Sequence, residues 1–345
     1  MTLPWTGNPR YLLSGASGML GSGLRQALAA RHLPFLQLIR SHPAGRVRWF
    51  ESAPPTAPAE TAVGNALGQL RWNPAANPPI AHPEALEGCT AAIHLAGANV
   101  AAHRWTSAYK RKMTESRVHS TRALATSLAS LSHPPQTLLV ASAVGIYGNR
   151  PNEFLDESSA PGSGFLADLC RQWEAAAQPA VDAGIRVVHL RFGVVLAPPE
   201  QAGERAGSNR GTNSGALARM LPIFRLGLGG PLGSGMQWMS WITLTDVLAA
   251  ILFILDTPTL AGPVNLTAPN PVTNADFTRA LARQIHRPAA LPVPALALRL
   301  ALGEMADDAL LSSARAYPAR LITAGFHFAH STLDHALAST LPPKH

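Results

Sequence analysis

A glycine-rich segment near the start of the chain most constrains the fold. It reads Gly15-Ala16-Ser17-Gly18-Met19-Leu20-Gly21 and follows the apolar run 11–13. A strand, three glycines spaced as Gly-x-x-Gly-x-x-Gly and a helix start together predict a site for a nucleotide pyrophosphate. Glycine has no Cβ, so the backbone can turn sharply and approach phosphates closely, while N–H groups at the helix start face the negative charge.

The surroundings of this segment strengthen the prediction, because the glycines alone would also fit a tight turn that binds nothing. Apolar residues follow at helical spacing, and a second apolar run, 35–39, comes next; the helical ones are Leu20, Leu24, Ala27 and Leu28. Together, the first strand, the glycine turn, the helix and the second strand form the βαβ unit in which dinucleotide-binding proteins carry such a glycine pattern. The residues expected to contact the cofactor here are Gly15, Ser17, Gly18, Met19, Leu20 and Gly21.

The residue at the end of the second strand indicates which dinucleotide is bound. NAD-binding proteins usually place an acidic residue there, on the ribose hydroxyls. This chain has Arg40, followed by Ser41, and the next carboxylate along the chain is Glu51. A guanidinium can bind a 2′-phosphate through two charge-assisted hydrogen bonds, whereas a carboxylate would repel it. The sequence therefore favours NADP(H) over NAD(H), with a solvated arginine at a strand end as the alternative.

Apolar strands alternate with helices beyond this unit and predict an α/β fold with a Rossmann-type, doubly wound parallel sheet. Further strands are expected at residues 69–72, 91–96, 137–141, 186–191 and 263–266, and helices at about 107–131, 165–183 and 246–255. The stretches 51–67 and 198–215 are expected to be loops. Residues 1–291 form the predicted dinucleotide-binding domain, with substrate-side insertions at about 198–245. Residues 292–345 form a smaller, helical C-terminal domain on the substrate side.

Length and composition are those of a globular enzyme that needs neither disulfide bonds nor metals. The 345 residues are 47% hydrophobic and 14% charged, against a usual charged share of about 25%. Cys89 and Cys170 lack the spacing of metal ligands and are expected to be buried free thiols. His327 and His330 have no acidic or cysteine partner that completes a ligand set, so no metal is expected.

Charge and hydropathy argue against two classes of partner. The net charge is +8, but the arginines are scattered and the one tight basic cluster spans residues 104–112, so nucleic acid is not expected. No apolar stretch reaches the roughly 20 residues of a membrane span, and the first residues show no secretion signal. We expect a small-molecule substrate and a cytoplasmic location, and a homodimer stays open as the assembly.

Motifs in a fixed order make the chain resemble an extended short-chain dehydrogenase/reductase. The first motif is the glycine turn. The second is Leu95-Ala96-Gly97, which follows the fourth strand along the chain, and the third is Ser142, which follows the fifth. More narrowly, the chain resembles the atypical epimerase-like branch, of the NAD(P)-dependent nucleoside-diphosphate-sugar epimerase type with a C-terminal domain of unknown function. The matching stretches are HLAGAN (94–99), RW (104–105), SRV (116–118), SAVGIYG (142–148), FLADLCRQWE (165–174), GLGGPLGSG (227–235), QW (237–238), WI (241–242), NLTAP (265–269), GEM (303–305) and AGFHF (324–328).

The resemblance, which covers about residues 11–337, implies a nicotinamide dinucleotide site built from several segments. Besides the glycine turn and Arg40, it implies cofactor contacts from the segments behind the fourth and fifth strands and from two helices. These further residues are Leu95, Ala96, Gly97, Arg117, Ser142 and Phe165.

The catalytic pair of the resembling family is absent from this sequence. The family's mechanism needs a tyrosine with a lysine four residues on, because the lysine lowers the tyrosine pKa, and a serine that polarises the substrate oxygen. No Tyr-x-x-x-Lys occurs, and the helix where the family places the pair carries Phe165 and Leu169. Ser142 keeps the serine position and Tyr147 is the nearest phenol, so these two are the candidate catalytic residues. The alternatives are a capping role for Ser142 and a structural role for Tyr147.

Two functions of different class stay open at this point. The first is an NADP(H)-binding oxidoreductase or epimerase-like enzyme that acts on a hydroxyl, carbonyl or sugar-nucleotide substrate. The second is a non-catalytic dinucleotide-binding sensor or regulatory protein. The missing Tyr-Lys pair favours the sensor. Ser142 and the glycine-dense segment 225–235 favour the enzyme, because a sensor needs no elaborate pocket.

Overall fold

A computed structural model describes residues 10–40, 66–199 and 215–341 of the chain. The strands are β1 (Tyr11–Ser14), β2 (Phe35–Arg40), β3 (Ala66–Trp72), β4 (Ala91–His94), β5 (Thr137–Ala143), β6 (Arg150–Leu155), β7 (Arg186–Phe192), β8 (Val194–Leu196), β9 (Trp238–Met239), β10 (Trp241–Thr243), β11 (Gly262–Leu266), β12 (Val272–Thr273) and β13 (Ala314–Ala316). The α-helices are α1 (Met19–Ala30), α2 (Ser107–Thr114), α3 (Ser120–Ala129), α4 (Phe165–Ala175), α5 (Gln178–Asp182), α6 (Ala216–Arg225), α7 (Leu244–Leu255), α8 (Asn274–Gln284), α9 (Ala295–Leu302), α10 (Ala319–Thr323) and α11 (Leu333–Thr340).

A seven-stranded parallel sheet has the order β11-β7-β5-β4-β1-β2-β3. Tyr11 of β1 pairs with Phe35 of β2 on one side and with Ala91 of β4 on the other. The chain order reverses between β1 and β4, and α/β proteins bind ligands at the carboxyl ends of strands beside such a reversal. Every residue of β1 and β4 is buried, as expected for apolar strands covered on both faces. The Rossmann-type α/β fold predicted from the sequence is therefore confirmed.

Some helix and strand bounds differ from the predicted ones, for local reasons. β4 ends at His94 and not at Ala96, because its pairing with β1 stops where the glycine turn begins. The predicted helix 107–131 consists of α2, the π-helical segment Glu115–His119 and α3. The predicted helix 165–183 is interrupted between α4 and α5, where Pro179 has no N–H to continue the helical bonding.

The two predicted loops fall largely outside the described residues. Residues 66 and 67 of the predicted loop 51–67 belong to β3, which corrects that end of the prediction. Residues 51–65 and 200–214 are not described. Within the described ranges, no helix is long and apolar enough to cross a membrane. Cys89 and Cys170 are both buried thiols, as predicted, and neither is part of a disulfide bond.

The chain divides into two compact units. The first comprises Met1–Ala98, Glu115–Ala141 and Glu174–Val188, and the second comprises Asn99–Thr114, Ser142–Trp173 and His189–His345. The predicted domain boundary at residue 292 stays a prediction. The residues beyond it are not all helical, which corrects the prediction, because β13 adds in parallel to the edge of β6 in the second unit.

Buried contacts hold the C-terminal residues within the second unit. Leu333, Ala336 and Leu337 of α11 are buried in one apolar cluster with side chains of α6 and α8. The buried carboxylate of Asp246 accepts hydrogen bonds from the backbone N–H of Ala329, at 2.7 Å, and from that of His330, at 3.1 Å. Asp246 thus accepts hydrogen bonds from two backbone N–H groups that would otherwise be removed from water without an acceptor.

Candidate functional site

Two of the three glycines in the turn after β1 are required by the protein's own packing. Gly15 has φ +75°, and a Cβ there would lie 2.6 Å from the carbonyl carbon of Leu95. A Cβ at Gly21 would lie 2.7 Å from the Cα of Ala16 and would overlap the carbonyl group of Gly15. The turn packs too closely on α1 and on the segment after β4 for any side chain at these positions.

Gly18 differs from these two glycines, because the protein leaves space beside it. The residue is exposed, and a Cβ there would meet one neighbouring atom, the carbonyl oxygen of Gly15 at an ordinary 3.5 Å. Its φ of −79° and ψ of 171° lie in a region that every residue can adopt. The fold therefore does not need glycine at position 18, whereas a phosphate approaching the backbone would need it.

The start of α1 offers hydrogen-bond donors next to this space. Gly18 precedes the helix without a side-chain cap, and the first turn contains no acidic residue. The first helical bond, from the N–H of Ser22 to the carbonyl oxygen of Gly18, measures 2.8 Å. The N–H groups of Met19, Leu20 and Gly21 precede that bond, so they are available to an anion. Residues 15–21, including the exposed Ser17, thus form the turn after β1 and the first residues of α1, and their contacts with a cofactor stay a prediction.

The segment after β4 lies beside the turn and contacts a buried arginine, Arg117. The N–H of Leu95 donates to Ser14 O at 3.1 Å. The Arg117 guanidinium donates from Nη2 to the carbonyl oxygen of Ala98 at 2.8 Å, and a Cβ at Gly97 would lie 3.3 Å from its Cζ. Arg117 stands in the π-helical segment, a feature often found at functional sites. The structure thus brings residues 95–97 and Arg117 together in the first unit.

Arg40 is the last residue of β2 and is exposed. β2 is the sheet neighbour of β1, and the two strands are parallel, so their carboxyl ends lie at the same sheet edge. Arg40 therefore belongs to the edge from which the glycine turn also starts. An exposed guanidinium there is free of the desolvation cost that a buried charge would carry.

A series of buried, hydrogen-bonded polar side chains begins at the end of β1, and the sequence analysis did not predict it. The Ser14 hydroxyl hydrogen-bonds His94 Nδ1, His94 Nε2 lies 3.1 Å from Ser120 Oγ, and Ser120 donates to Ser116 O at 2.7 Å. Burial, and to a smaller extent the charge of Arg40, lower the pKa of His94 to about 3. The ring is therefore neutral, accepting at Nδ1 and donating from Nε2. This arrangement ties β1 and β4 to α3.

The remaining predicted residues lie in the second unit. Ser142 is buried, 2% exposed, near the carboxyl end of β5. Gly145, three residues on, packs against α4, since a Cβ there would lie 3.3 Å from the Cβ of Leu166. The segment that follows Ser142 thus packs against the first turn of α4, which carries Phe165.

The phenol of Tyr147 is enclosed by the protein. Its side chain is fully buried, and its hydroxyl donates to Asn265 Oδ1 at 2.8 Å and accepts from Arg191 Nη1 at 3.1 Å. Burial raises the pKa of Tyr147, with the nearby Arg191 opposing the rise. Both hydrogen-bonding directions of the hydroxyl are thus used internally, which favours the structural alternative. Its catalytic role stays a prediction.

Phe165 stands half-buried at the start of α4 with an unexpected neighbour. Its ring packs edge-on against Trp105, with centroids 5.3 Å apart, and the ammonium of Lys110 lies 4.9 Å from its centroid. Leu169, four residues on, is buried and apolar, so the position at which the resembling family has its lysine carries no cation. The contact of Lys110 with Phe165 was not predicted from the sequence, because these two residues are 55 positions apart and no local pattern relates them.

Comparison with protein families matches two models along the chain. The NAD dependent epimerase/dehydratase family matches residues 11–266. A domain of unknown function, DUF1731, matches residues 293–340. The resemblance inferred from the sequence motifs, including the C-terminal domain of unknown function, is therefore confirmed.

Individual relatives are similar over nearly the whole chain. The epimerase family protein Mb2239 of Mycobacterium bovis is 42% identical over 337 residues, which cover 97% of this chain and 99% of that protein. The chloroplastic epimerase family protein SDR39U1 homolog of Arabidopsis thaliana is 32% identical, covering 95% and 86%. The crystal structure of human epimerase family protein SDR39U1 (isoform 2) with NADPH superposes with a TM-score of 0.76 at 28% identity, covering 96% and 98%.

Proposed function

The chain belongs to the NAD dependent epimerase/dehydratase family, and we propose that it is an NADP(H)-dependent oxidoreductase or epimerase-like enzyme for a hydroxyl, carbonyl or sugar-nucleotide substrate. The observation that carries the proposal is the open space at Gly18. Packing explains the glycines at positions 15 and 21, but it does not explain this one. A phosphate group held against the backbone does explain it.

The preference for NADP(H) is supported by Arg40. The position on β2 where NAD-binding proteins hold an acidic residue carries an exposed guanidinium. The structure of the human relative contains NADPH, which agrees with this preference. A 2′-phosphate at Arg40 would accept two charge-assisted hydrogen bonds.

Each part of the site has a distinct role in this proposal. The bound cofactor supplies or accepts the hydride. The N–H groups at the start of α1 bind the pyrophosphate, Arg40 binds the 2′-phosphate, and residues 95–97 with Arg117 border the dinucleotide. Ser142 donates its hydroxyl proton in a hydrogen bond to the substrate oxygen, which favours negative charge developing there.

The second candidate function, a dinucleotide-binding sensor without chemistry, is favoured by one observation. The phenol nearest to Ser142, that of Tyr147, has both a donor and an acceptor inside the protein, so it is poorly suited to exchange a proton with a substrate. A cytoplasmic location, a small-molecule substrate, the exclusion of nucleic acid and membrane, and a homodimeric assembly stay predictions for either function.

Hydride transfer from 4-deuterated NADPH to a panel of carbonyl compounds and sugar nucleotides tests the proposal. Deuterium in any product that disappears in Ser142→Ala, with unchanged NADPH affinity by calorimetry, is the result expected of the enzyme. Tight NADPH binding without transfer to any compound, together with a co-purifying protein, would favour the sensor. Absence of NADPH binding by the folded protein would refute both functions.

A further inference from the structure

Three segments that are distant in sequence meet in the second unit. They are residues 104–110, residues 164–166 at the start of α4, and residues 300–308 in the C-terminal part. The Lys110 ammonium donates to Glu304 Oε2 at 2.6 Å and lies over the Phe165 ring. The N–H of Leu166 donates to Asp308 Oδ2 at 3.3 Å. The first turn of α4 is thus bordered by one ammonium and two carboxylates.

Arg104 makes a second connection between the same segments. Its Nη1 donates to the carbonyl oxygen of Leu300 at 3.1 Å, and a Cβ at Gly303 would lie 3.2 Å from its Nε. The sequence stretches 104–105, 165–174 and 303–305, which carry the family resemblance, therefore meet around Phe165. The cofactor roles proposed above do not account for the first and the last of them.

Stabilisation of the fold is a poor explanation for the ion pair between Lys110 and Glu304. The two side chains are 29% and 42% exposed, and surface ion pairs of this kind contribute little to the stability of a fold. The C-terminal residues are already held by the buried Asp246 and by β13. The ammonium also lies on an aromatic ring, where part of its hydration is replaced by the π face.

The ammonium can serve a ligand in its present position. A lysine ammonium has three N–H donors. Among the described residues, its partners are one carboxylate oxygen and the ring face of Phe165, so a donor remains for a substrate oxygen. Lys110 is one of three lysines in the chain, the others being Lys112 and Lys344, beside 25 arginines from the total of 28 basic residues. Lysine, as a compact point charge, suits a single oxygen better than the planar arginine fork does.

We propose that Lys110 is a catalytic residue whose ammonium hydrogen-bonds the substrate oxygen at the Phe165 ring and stabilises the negative charge that develops on it. Glu304 is its positioning residue. The cation that the resembling family supplies from the helix corresponding to α4 is supplied here from α2, and Glu304 in the C-terminal part orients it. This inference rests on the proposed function, and no covalent change occurs at Lys110.

A phenol introduced by Phe165→Tyr measures whether this cation acts on an oxygen at position 165. The phenolate of the added tyrosine is titrated by ultraviolet absorbance, with the unsubstituted protein as the background for the four native tyrosines. We expect its pKa to lie below the ordinary value of about 10 by roughly one pH unit or more, since an opposite charge within about 4–6 Å favours the ionised form. Adding Lys110→Met should remove this depression.

Two further variants provide the controls. Lys112→Met, at an exposed position of the same helix, should leave the phenol pKa depressed. Glu304→Gln should depress it further, because it removes the carboxylate that partly neutralises the ammonium. Circular dichroism checks the fold, and Lys110→Gln replaces Lys110→Met if that variant is unfolded.

The outcomes separate this inference from the proposed function. A phenol pKa that does not change when Lys110 is replaced overturns the inference, whatever the protein does with NADPH. In any reaction found with the deuterated cofactor, Lys110→Met should lower kcat by on the order of 100-fold. NADPH affinity by calorimetry should stay unchanged, as should kcat in Lys112→Met. Failure of the native protein to bind NADPH refutes the proposed function without reference to the titration.

Discussion

Gly18→Val is the substitution that best separates binding of the cofactor from stability of the fold. Valine can adopt the backbone angles of Gly18, and its Cβ would meet the Gly15 carbonyl oxygen at 3.5 Å. Loss of a favourable residue at the helix start should cost about 1 kcal/mol of unfolding free energy. The added methyl groups would occupy the space that we assign to the pyrophosphate.

The expected loss of affinity follows from the donors at the start of α1. A hydrogen bond to a charged group contributes about 1.5–3 kcal/mol, so displacing the phosphate from two N–H groups removes about 3–6 kcal/mol. This corresponds to a Kd for NADPH that is roughly 100-fold or more weaker. Titration calorimetry measures the affinity, and urea unfolding measures the stability.

The neighbouring glycine gives the matched control. Gly21→Ala should destabilise the fold strongly, because its Cβ would lie 2.7 Å from the Ala16 Cα in a place where only backbone atoms could move. The reasoning is refuted if folded Gly18→Val binds NADPH with the native affinity. It is also refuted if Gly18→Val loses as much stability as Gly21→Ala.

Three further predictions follow from single contacts. Arg40→Ala should weaken NADP(H) binding by about 1.5–3 kcal/mol, roughly 10- to 150-fold, and NAD(H) binding far less; equal losses in calorimetry would show that Arg40 does not bind the 2′-phosphate. Tyr147→Phe should cost about 1–3 kcal/mol of unfolding free energy, because Asn265 loses its buried partner, while turnover persists; complete loss of turnover in a stable variant would instead support catalysis by Tyr147. The depressed pKa of His94, about 3 against 6.5, means that the unfolded chain binds a proton that the folded state does not. The native protein should therefore lose about 1.4 kcal/mol of stability per pH unit as the pH falls below about 6.5. Its advantage over His94→Gln should shrink over this range, and urea unfolding that shows a constant difference would contradict the assignment.

The sequence alone determined the features that depend on local order. Glycine spacing, apolar strands and helical periodicity predicted the nucleotide turn at 15–21, the parallel sheet and the position of Arg40, because each depends on residues close together along the chain. The same motifs led to the family and its C-terminal domain. The bounds that were wrong, such as the end of β4 and the break before α5, lie where pairing or a proline ends an element.

Only the tertiary structure decided which residues meet. The contact of Lys110 with Phe165 and Glu304, and the enclosure of Tyr147 by Asn265 and Arg191, join residues tens to hundreds of positions apart. Such contacts arise from the packing of helices on the sheet, which no local propensity encodes. The same holds for the difference between Gly18 and its neighbouring glycines, since identical residues differ only in the atoms that surround them.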